Sequence, residues 1–220
     1  MTNLAESFTD SLGKIDVILG GPPCQGFSIA GKRNAKDPRN TLTNSYIEIV
    51  GKLDPRIVVI ENVPNILGMG NGIFRETIIK RLESLGYSVS IEKLLASEFG
   101  VPQHRKRVFF IGVKGDHIWA NEIDNLRTPK LITCADALDD LPALTENIGS
   151  ELQDYRLSSQ NDYQSLMRDS SEHVFNHIAV EHKERTKQII AMVPDGGNYK
   201  DLPLELQGTR KVNIAWTRMN

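Results

Sequence analysis

Cysteine is scarce in this chain, with two in 220 residues, Cys24 and Cys134. That excludes a disulfide scaffold and leaves each thiol to be explained singly. No uninterrupted apolar run is long enough to cross a bilayer, and Met1-Thr2-Asn3-Leu4-Ala5-Glu6-Ser7-Phe8 has neither a basic start nor an apolar stretch. The expected compartment is therefore the cytosol, with no membrane partner. Internal repeats and low-complexity tracts are missing. There is no Cys-x-x-Cys to complete the ligand-like spacing of His173 and His177, so no metal site is expected. Excess charge of one sign is missing too. A net charge of -2 argues against a surface coated in basic groups, although a local cluster can still supply phosphate contacts.

What is present is a foldable composition, 40% hydrophobic and 25% charged, sufficient for one or two globular domains. Asp16-Val17-Ile18-Leu19 is a short apolar run stopped by Gly20-Gly21-Pro22-Pro23, which reads as a strand ending in a rigid turn. Leu42, Tyr46, Ile49, Val50 and Leu53 recur at helical spacing, with Asp54-Pro55 as a stop. Ile57-Val58-Val59-Ile60 reads as a second strand, and Ile73, Ile78, Ile79, Leu82 and Leu85 as a second helix closed by Gly86. This β-α-β-α rhythm predicts a mostly parallel α/β sheet. Ser88 to Leu95 and Val108 to Val113 are strand-like with only a loop between them, which predicts an antiparallel edge pair. The pattern weakens beyond Gly115, giving an expected boundary near residue 125. Residues 153 to 171 read as a polar, turn-rich stretch, followed by a helix around His182 to Met192.

Three segments carry chemistry. Cys24 follows the first strand directly, on a loop stiffened by two prolines, where its thiol can face a ligand. An ordinary thiol, with a pKa of about 8.5, is only a few per cent thiolate at neutral pH, so a nucleophile there needs an activating environment. A buried structural cysteine is the alternative. Glu61-Asn62-Val63 ends the second strand, and in a parallel sheet it reaches the same edge as Cys24. A carboxylate beside an apolar strand end is partly desolvated, whereas one on an open loop is simply solvated. Gln103-His104-Arg105-Lys106-Arg107 enters another strand, where alternation puts Arg105 and Arg107 on one face, able to hold phosphate or a base carbonyl. Basic runs alone are more often solvated surface.

Taken in order, Gly20-Gly21-Pro22-Pro23-Cys24-Gln25-Gly26-Phe27-Ser28, Glu61-Asn62-Val63 and Gly100-Val101-Pro102-Gln103-His104-Arg105-Lys106-Arg107 resemble the motifs of the DNA (cytosine-5)-methyltransferases, of the bacterial modification type. Asp37-Pro38-Arg39-Asn40-Thr41-Leu42 and Leu85-Gly86-Tyr87 extend the likeness, which is dense over residues 15 to 113. The resemblance implies a partial Rossmann-like, S-adenosylmethionine-dependent methyltransferase sheet over residues 1–125. Residues 126–220 would hold a linker and the start of a target recognition region. It implies Cys24, Glu61, Arg105 and Arg107 as catalytic residues, and Gln25, Ser28, Asn62 and Gln103 as substrate contacts. The implied partner is double-stranded DNA. In the implied chemistry Cys24 adds to carbon 6 of a cytosine flipped out of the stack, Glu61 supports ring nitrogen 3, and Arg107 with Arg105 meets carbonyl 2 and phosphate.

S-adenosyl-L-methionine is the implied methyl donor, with Pro23 and Leu42 as the residues matching donor contacts. The family's opening Phe-x-Gly-x-Gly turn has no counterpart. The one Gly-x-Gly stretch, Gly68-Met69-Gly70 extended by Asn71-Gly72, lacks a strand immediately before it and reads as a loop. Both ends therefore read as truncated, which leads to the expectation of a fragment completed by a complementary polypeptide, and inactive without it. Two other readings stay open at this level. Transfer-RNA methylation is one, against which Gly26 stands where those relatives have proline. A degenerate module without catalysis is the other. Cys134, in the apolar-periodic Leu131 to Leu138, is expected to be a buried structural thiol.

Overall fold

The structure is a computed structural model that describes residues 14–23, 41–115, 122–128, 130–144, 148–194, 197 and 199–207. The chain divides into two compact units, Met1–Leu138 and Asp139–Asn220.

The first unit contains a four-stranded sheet in the order β1-β2-β4-β3, formed by β1 (Val17–Gly20), β2 (Ile57–Asn62), β3 (Tyr87–Leu95) and β4 (Lys106–Lys114). β1 and β2 are parallel, and β4 is antiparallel to both β2 and β3. Three strands therefore run one way, and β4 is inserted against them, as the mixed sheet read from the sequence requires. The predicted edge pair is present, with β3 as the outer strand and β4 drawn inward between β3 and β2. Helix α1 (Thr41–Leu53) is the crossover between β1 and β2, and α2 (Ile73–Ser84) connects β2 to β3.

Both helices cover the same face of the sheet. Alternate residues of β2 and β4, Val58, Ile60, Val108 and Phe110, are fully buried there, and they form one cluster with Ile47 and Val50 of α1 and Ile78 and Leu82 of α2. The two-residue period of a strand meeting the helical period of its crossovers explains why these positions and not their neighbours are apolar. Tyr87 closes the bottom of this core, its hydroxyl donating to the Pro55 carbonyl at 2.8 Å.

Tyr46 ties α1 to the two parallel strands. Its hydroxyl lies 3.0 Å from the Val59 carbonyl and 3.3 Å from that of Ile18, and burial pushes the phenol up to about 12. The ring crosses β1 so closely that a Cβ on Gly20 would sit 2.2 Å from Tyr46 Cε2. Because the hydroxyl is held, the ring cannot swing aside without giving up both carbonyls. Gly20→Ala is therefore expected to destabilise the first unit by about 1–3 kcal/mol, read as a lower urea midpoint with an unchanged slope. A midpoint equal to that of the unchanged protein would show that the ring is free to move.

The second unit is built on a hairpin of β5 (Gly149–Asp154) and β6 (His173–Ile178), with α4 (Asp162–Arg168) between them, preceded in the chain by the short α3 (Cys134–Leu138) of the first unit. α5 (Glu184–Ala191) and α6 (Leu204–Gln207) follow. Much of this unit's interior is polar. Asp140 and Gln164 are buried, and Asp140 is ion-paired with Arg168, whose guanidinium also lies 3.7 Å from the Tyr155 ring centroid. His173 pairs with Asp154 and His177 meets the Pro142 carbonyl, so both histidines serve the hairpin. Among the described residues no helix is long and apolar enough to cross a membrane.

Candidate active site

The carboxyl ends of β1 and β2 lie side by side because the strands are parallel and in register, Gly20 opposite Ile60. In such a sheet this is where a ligand site forms. β4 enters from the opposite direction, and its register sets Asn62 against Val108 and Glu61 against Phe109. The start of β4 is thereby brought to the end of β2. Glu61 and Arg107, 46 positions apart in sequence, meet with Nε of the arginine 2.6 Å from Oε1 of the glutamate. Arg107 is largely shielded, while the Glu61 side chain is 39% exposed and so open to an incoming group.

The next residue fixes the neighbouring loop. Asn62 is 5% exposed, and its amide Nδ2 donates to the Pro22 carbonyl at 3.0 Å while its Oδ1 accepts from the Val63 backbone N–H at 2.9 Å. Gly21 passes so near that a Cβ there would lie 3.2 Å from Glu61 Oε2. The chain thus runs past the Glu61 carboxylate immediately before Cys24. This tether was not read from the sequence; its one signal is a short amide side chain at a strand end, next to the carboxylate. Asn62→Ala leaves a buried carbonyl and an N–H unpaired. It is expected to cost about 1–3 kcal/mol of stability, measured by urea unfolding, with no such loss in the surface variant Asn65→Ala.

Other expected site residues fall differently. Cys24, Gln25 and Ser28 lie outside the described residues. Gln103 and Arg105 are exposed on the turn before β4, where Arg105 presents its carbonyl to Ala96 N at 2.9 Å and makes no ion pair among the described residues. Arg107 alone of the two arginines reaches Glu61. Cys134 is a correction. It is exposed, with Sγ 3.5 Å from the Pro102 carbonyl, because the helix it opens is only five residues long and presents no buried face.

A family model for C-5 cytosine-specific DNA methylases matches residues 2–213. The chain belongs to that family. Curated relatives include the type II methyltransferase M.DdeI of Desulfomicrobium norvegicum, 37% identical over 89% of this chain and 49% of that protein. M.AgeI of Thalassovita gelatinovora is 34% identical over 76% of this chain and 44% of its own length. M1.HphI of Haemophilus parahaemolyticus is 35% identical, with shares of 88% and 46%. The chain spans about half the length of these curated relatives. The fold is shared with a solved DNA modification methyltransferase from an Escherichia coli prophage, at a TM-score of 0.65 and 24% identity, over 89% of this chain and 60% of that one.

Methylases of this family and fold imply S-adenosyl-L-methionine as donor, but the described residues do not build a cradle for it. Pro23 and Leu42 are exposed at the end of β1 and the first turn of α1, and supply only apolar contact. The Gly68 to Gly72 segment follows a 3₁₀ turn (Pro64–Leu67) and not a strand. Its positive φ values at Gly70, Asn71 and Gly72 turn the chain into α2, and a Cβ on Gly70 would lie 3.1 Å from Phe74. That loop is a helix entry already occupied by its own side chain.

Proposed function

We propose that the protein acts in DNA cytosine-5 methylation of the restriction-modification type, with a flipped cytosine held between the Cys24 loop and the Glu61–Arg107 pair. The observation that carries this reading is that pair, 2.6 Å apart, with Gly21 and Pro22 anchored alongside it just before Cys24.

Carbon 5 of cytosine is a poor nucleophile in the aromatic ring. Addition of the Cys24 thiolate to carbon 6 breaks the 5,6 double bond and moves electron density to carbon 5 and toward nitrogen 3. Base entry divides the ion pair between the two polar edges of the ring. The Arg107 guanidinium turns to carbonyl 2 and an adjoining phosphate, while the Glu61 carboxylate, taking a proton from water as it leaves the guanidinium, donates to nitrogen 3 and accepts from the exocyclic amine. These contacts strengthen as charge develops, which is where preorganised dipoles contribute most. Arg105 and Gln103, exposed on the same turn, would hold the backbone of the target strand, and Gln25, Ser28 and Asn62 would serve the base's surroundings. S-adenosyl-L-methionine supplies the methyl group. Departure of the carbon 5 proton to water, with expulsion of the Cys24 thiolate, restores the double bond. Such atoms are out of reach inside a duplex, so the base must leave the stack.

The partners in this reading are double-stranded DNA and a segment supplying the donor cradle. Residues 126–220 would include the start of the region that selects the DNA sequence. The test is incubation of the 220-residue chain with labelled donor and mixed-sequence duplex DNA, with and without a polypeptide carrying the Phe-x-Gly-x-Gly segment. The expected result is label recovered as 5-methylcytosine on complementation and at most traces without it, since lost positioning costs on the order of 7 kcal/mol. Label on another base would overturn the reaction, and full activity of the chain alone would place the donor cradle within these 220 residues.

A further inference from the structure

Beside the Glu61–Arg107 pair, β3 and β4 end in a groove of about 740 Å³, lined in part by Pro64, Lys93, Glu98, Lys106, Arg107 and Arg127. That volume falls in the range of small-ligand sites. Its charges are not alike. Arg127 is neutralised by ion pairs to Glu98 and to Asp124, and its guanidinium lies 5.3 Å from the Phe99 ring. Arg107 is held by Glu61. Lys93 and Lys106 are exposed, and neither ammonium has an acidic partner among the described residues. By contrast, Lys114 at the far end of the same strand is paired with Asp54 at 2.6 Å.

The register places the two free lysines together. Leu95 opposes Lys106 and Lys93 opposes Val108, so Lys93 and Lys106 occupy diagonal positions on one face of the β3–β4 ladder, the face opposite Arg107, and the groove at the strand ends reaches both faces. Diagonal neighbours in such a ladder are roughly 7–8 Å apart, and long side chains shorten or lengthen that reach. The spacing is comparable to that of successive phosphates on a nucleic acid strand. Two uncompensated ammonium groups this close repel each other, and a bound polyanion removes that repulsion.

We propose that Lys93 and Lys106 form a phosphate clamp that holds the DNA strand next to the flipped cytosine, two contacts separate from those of Arg105 and Arg107. The clamp rests on the DNA-methylation reading, since Arg107 lines the same groove and joins it to Glu61. Lysine ammonium groups bind phosphate as point charges and carry no base information, so the clamp adds affinity and register without sequence preference.

The test is fluorescence-anisotropy titration of the full chain, with labelled duplex DNA of two unrelated sequences, over a series of salt concentrations. Each neutralised phosphate contributes about 0.7–0.9 to the slope of log affinity against log salt. Lys93→Gln and Lys106→Gln should each flatten the slope by that amount, and the double variant by about twice it, equally on both sequences. Lys80→Gln on α2 serves as the control and should leave the slope unchanged, and circular dichroism confirms that each variant is folded. Salt-sensitive binding by the unmodified chain with an undiminished slope in the double variant would overturn the clamp alone. Absence of salt-sensitive binding by the unmodified chain would overturn the clamp together with the DNA reading. Loss on one sequence only would show that these lysines read bases and not phosphates.

Discussion

Cys24→Ser is expected to reduce 5-methylcytosine formation by at least roughly 10³-fold in the complemented protein, while DNA affinity stays within about twofold. A hydroxyl is far less ionised than a thiol at neutral pH, and oxygen is the poorer nucleophile toward carbon 6. The substitution changes one atom, and the segment just before it is tied to Asn62 through the Pro22 carbonyl. Binding should therefore survive. Cys134→Ser, on the exposed start of α3, is the matched control and should leave turnover unchanged. The measurement is single-turnover transfer of labelled methyl groups to DNA, with affinity read separately by anisotropy. Near-normal transfer by Cys24→Ser would remove that residue from the nucleophile's role.

Arg107→Ala should have the second largest effect, a loss of roughly 10²–10³-fold in methyl transfer, typical of removing a preorganised charge donor. Its stability cost should be small, about 1 kcal/mol or less, because Glu61 is 39% exposed and water can replace the guanidinium. Arg107→Lys should recover only part of the activity. An ammonium keeps the charge but not the planar fork that can serve carbonyl 2 and a phosphate together. Arg105→Ala, which breaks no ion pair among the described residues, should weaken DNA binding more than it slows the chemical step. Comparing single-turnover rates with anisotropy separates the two arginines. If Arg105→Ala proved the slower enzyme at saturating DNA, their assigned roles would have to be exchanged.

The first unit was legible in the sequence because its elements obey simple periods. Ile57-Val58-Val59-Ile60 is bounded by Pro55 and by Pro64, and α1 and α2 carry apolar residues at helical spacing with clear stops, so β2 and both crossovers lie where expected. Period cannot reveal pairing order. That β4 is drawn between β2 and β3 follows from long-range register, and it is this insertion that brings Arg107 to Glu61. Residues 153 to 171 read as turns, whereas the structure has the end of β5 and all of α4 there. The missing signal is chemical. The capping Asn161 accepts from Gln164 N at 2.9 Å, and the buried Gln164 and the Asp140–Arg168 pair occupy positions where a periodicity argument looks for aliphatic side chains. Cys134 failed for the reverse reason, since an apolar pattern five residues long does not define a buried face.

The candidate site was legible as three motifs on strand ends, but not as a geometry. The sequence places Glu61 and Arg107 at the ends of separate strands; the antiparallel β2–β4 ladder makes them an ion pair. The free lysines of the groove were hidden for the same reason. Lys106 lies within a visible basic run and Lys93 does not, and only the register of β3 with β4 joins them.

Exchange of the hydrogen on cytosine carbon 5 tests the central claim most directly, because it follows from thiolate addition at carbon 6 and needs no methyl donor. Adding the thiolate makes carbon 5 basic enough to take a proton from water; loss of the original hydrogen and expulsion of the thiolate then return the base unchanged. Duplex DNA of mixed sequence, tritiated at cytosine carbon 5, is incubated with the protein in the absence of donor, and radioactivity released to water is counted. Release by the unmodified protein, lost in Cys24→Ser and strongly reduced in Arg107→Ala, is the predicted result. Release that persists undiminished in Cys24→Ser would contradict the assignment of Cys24 as the nucleophile.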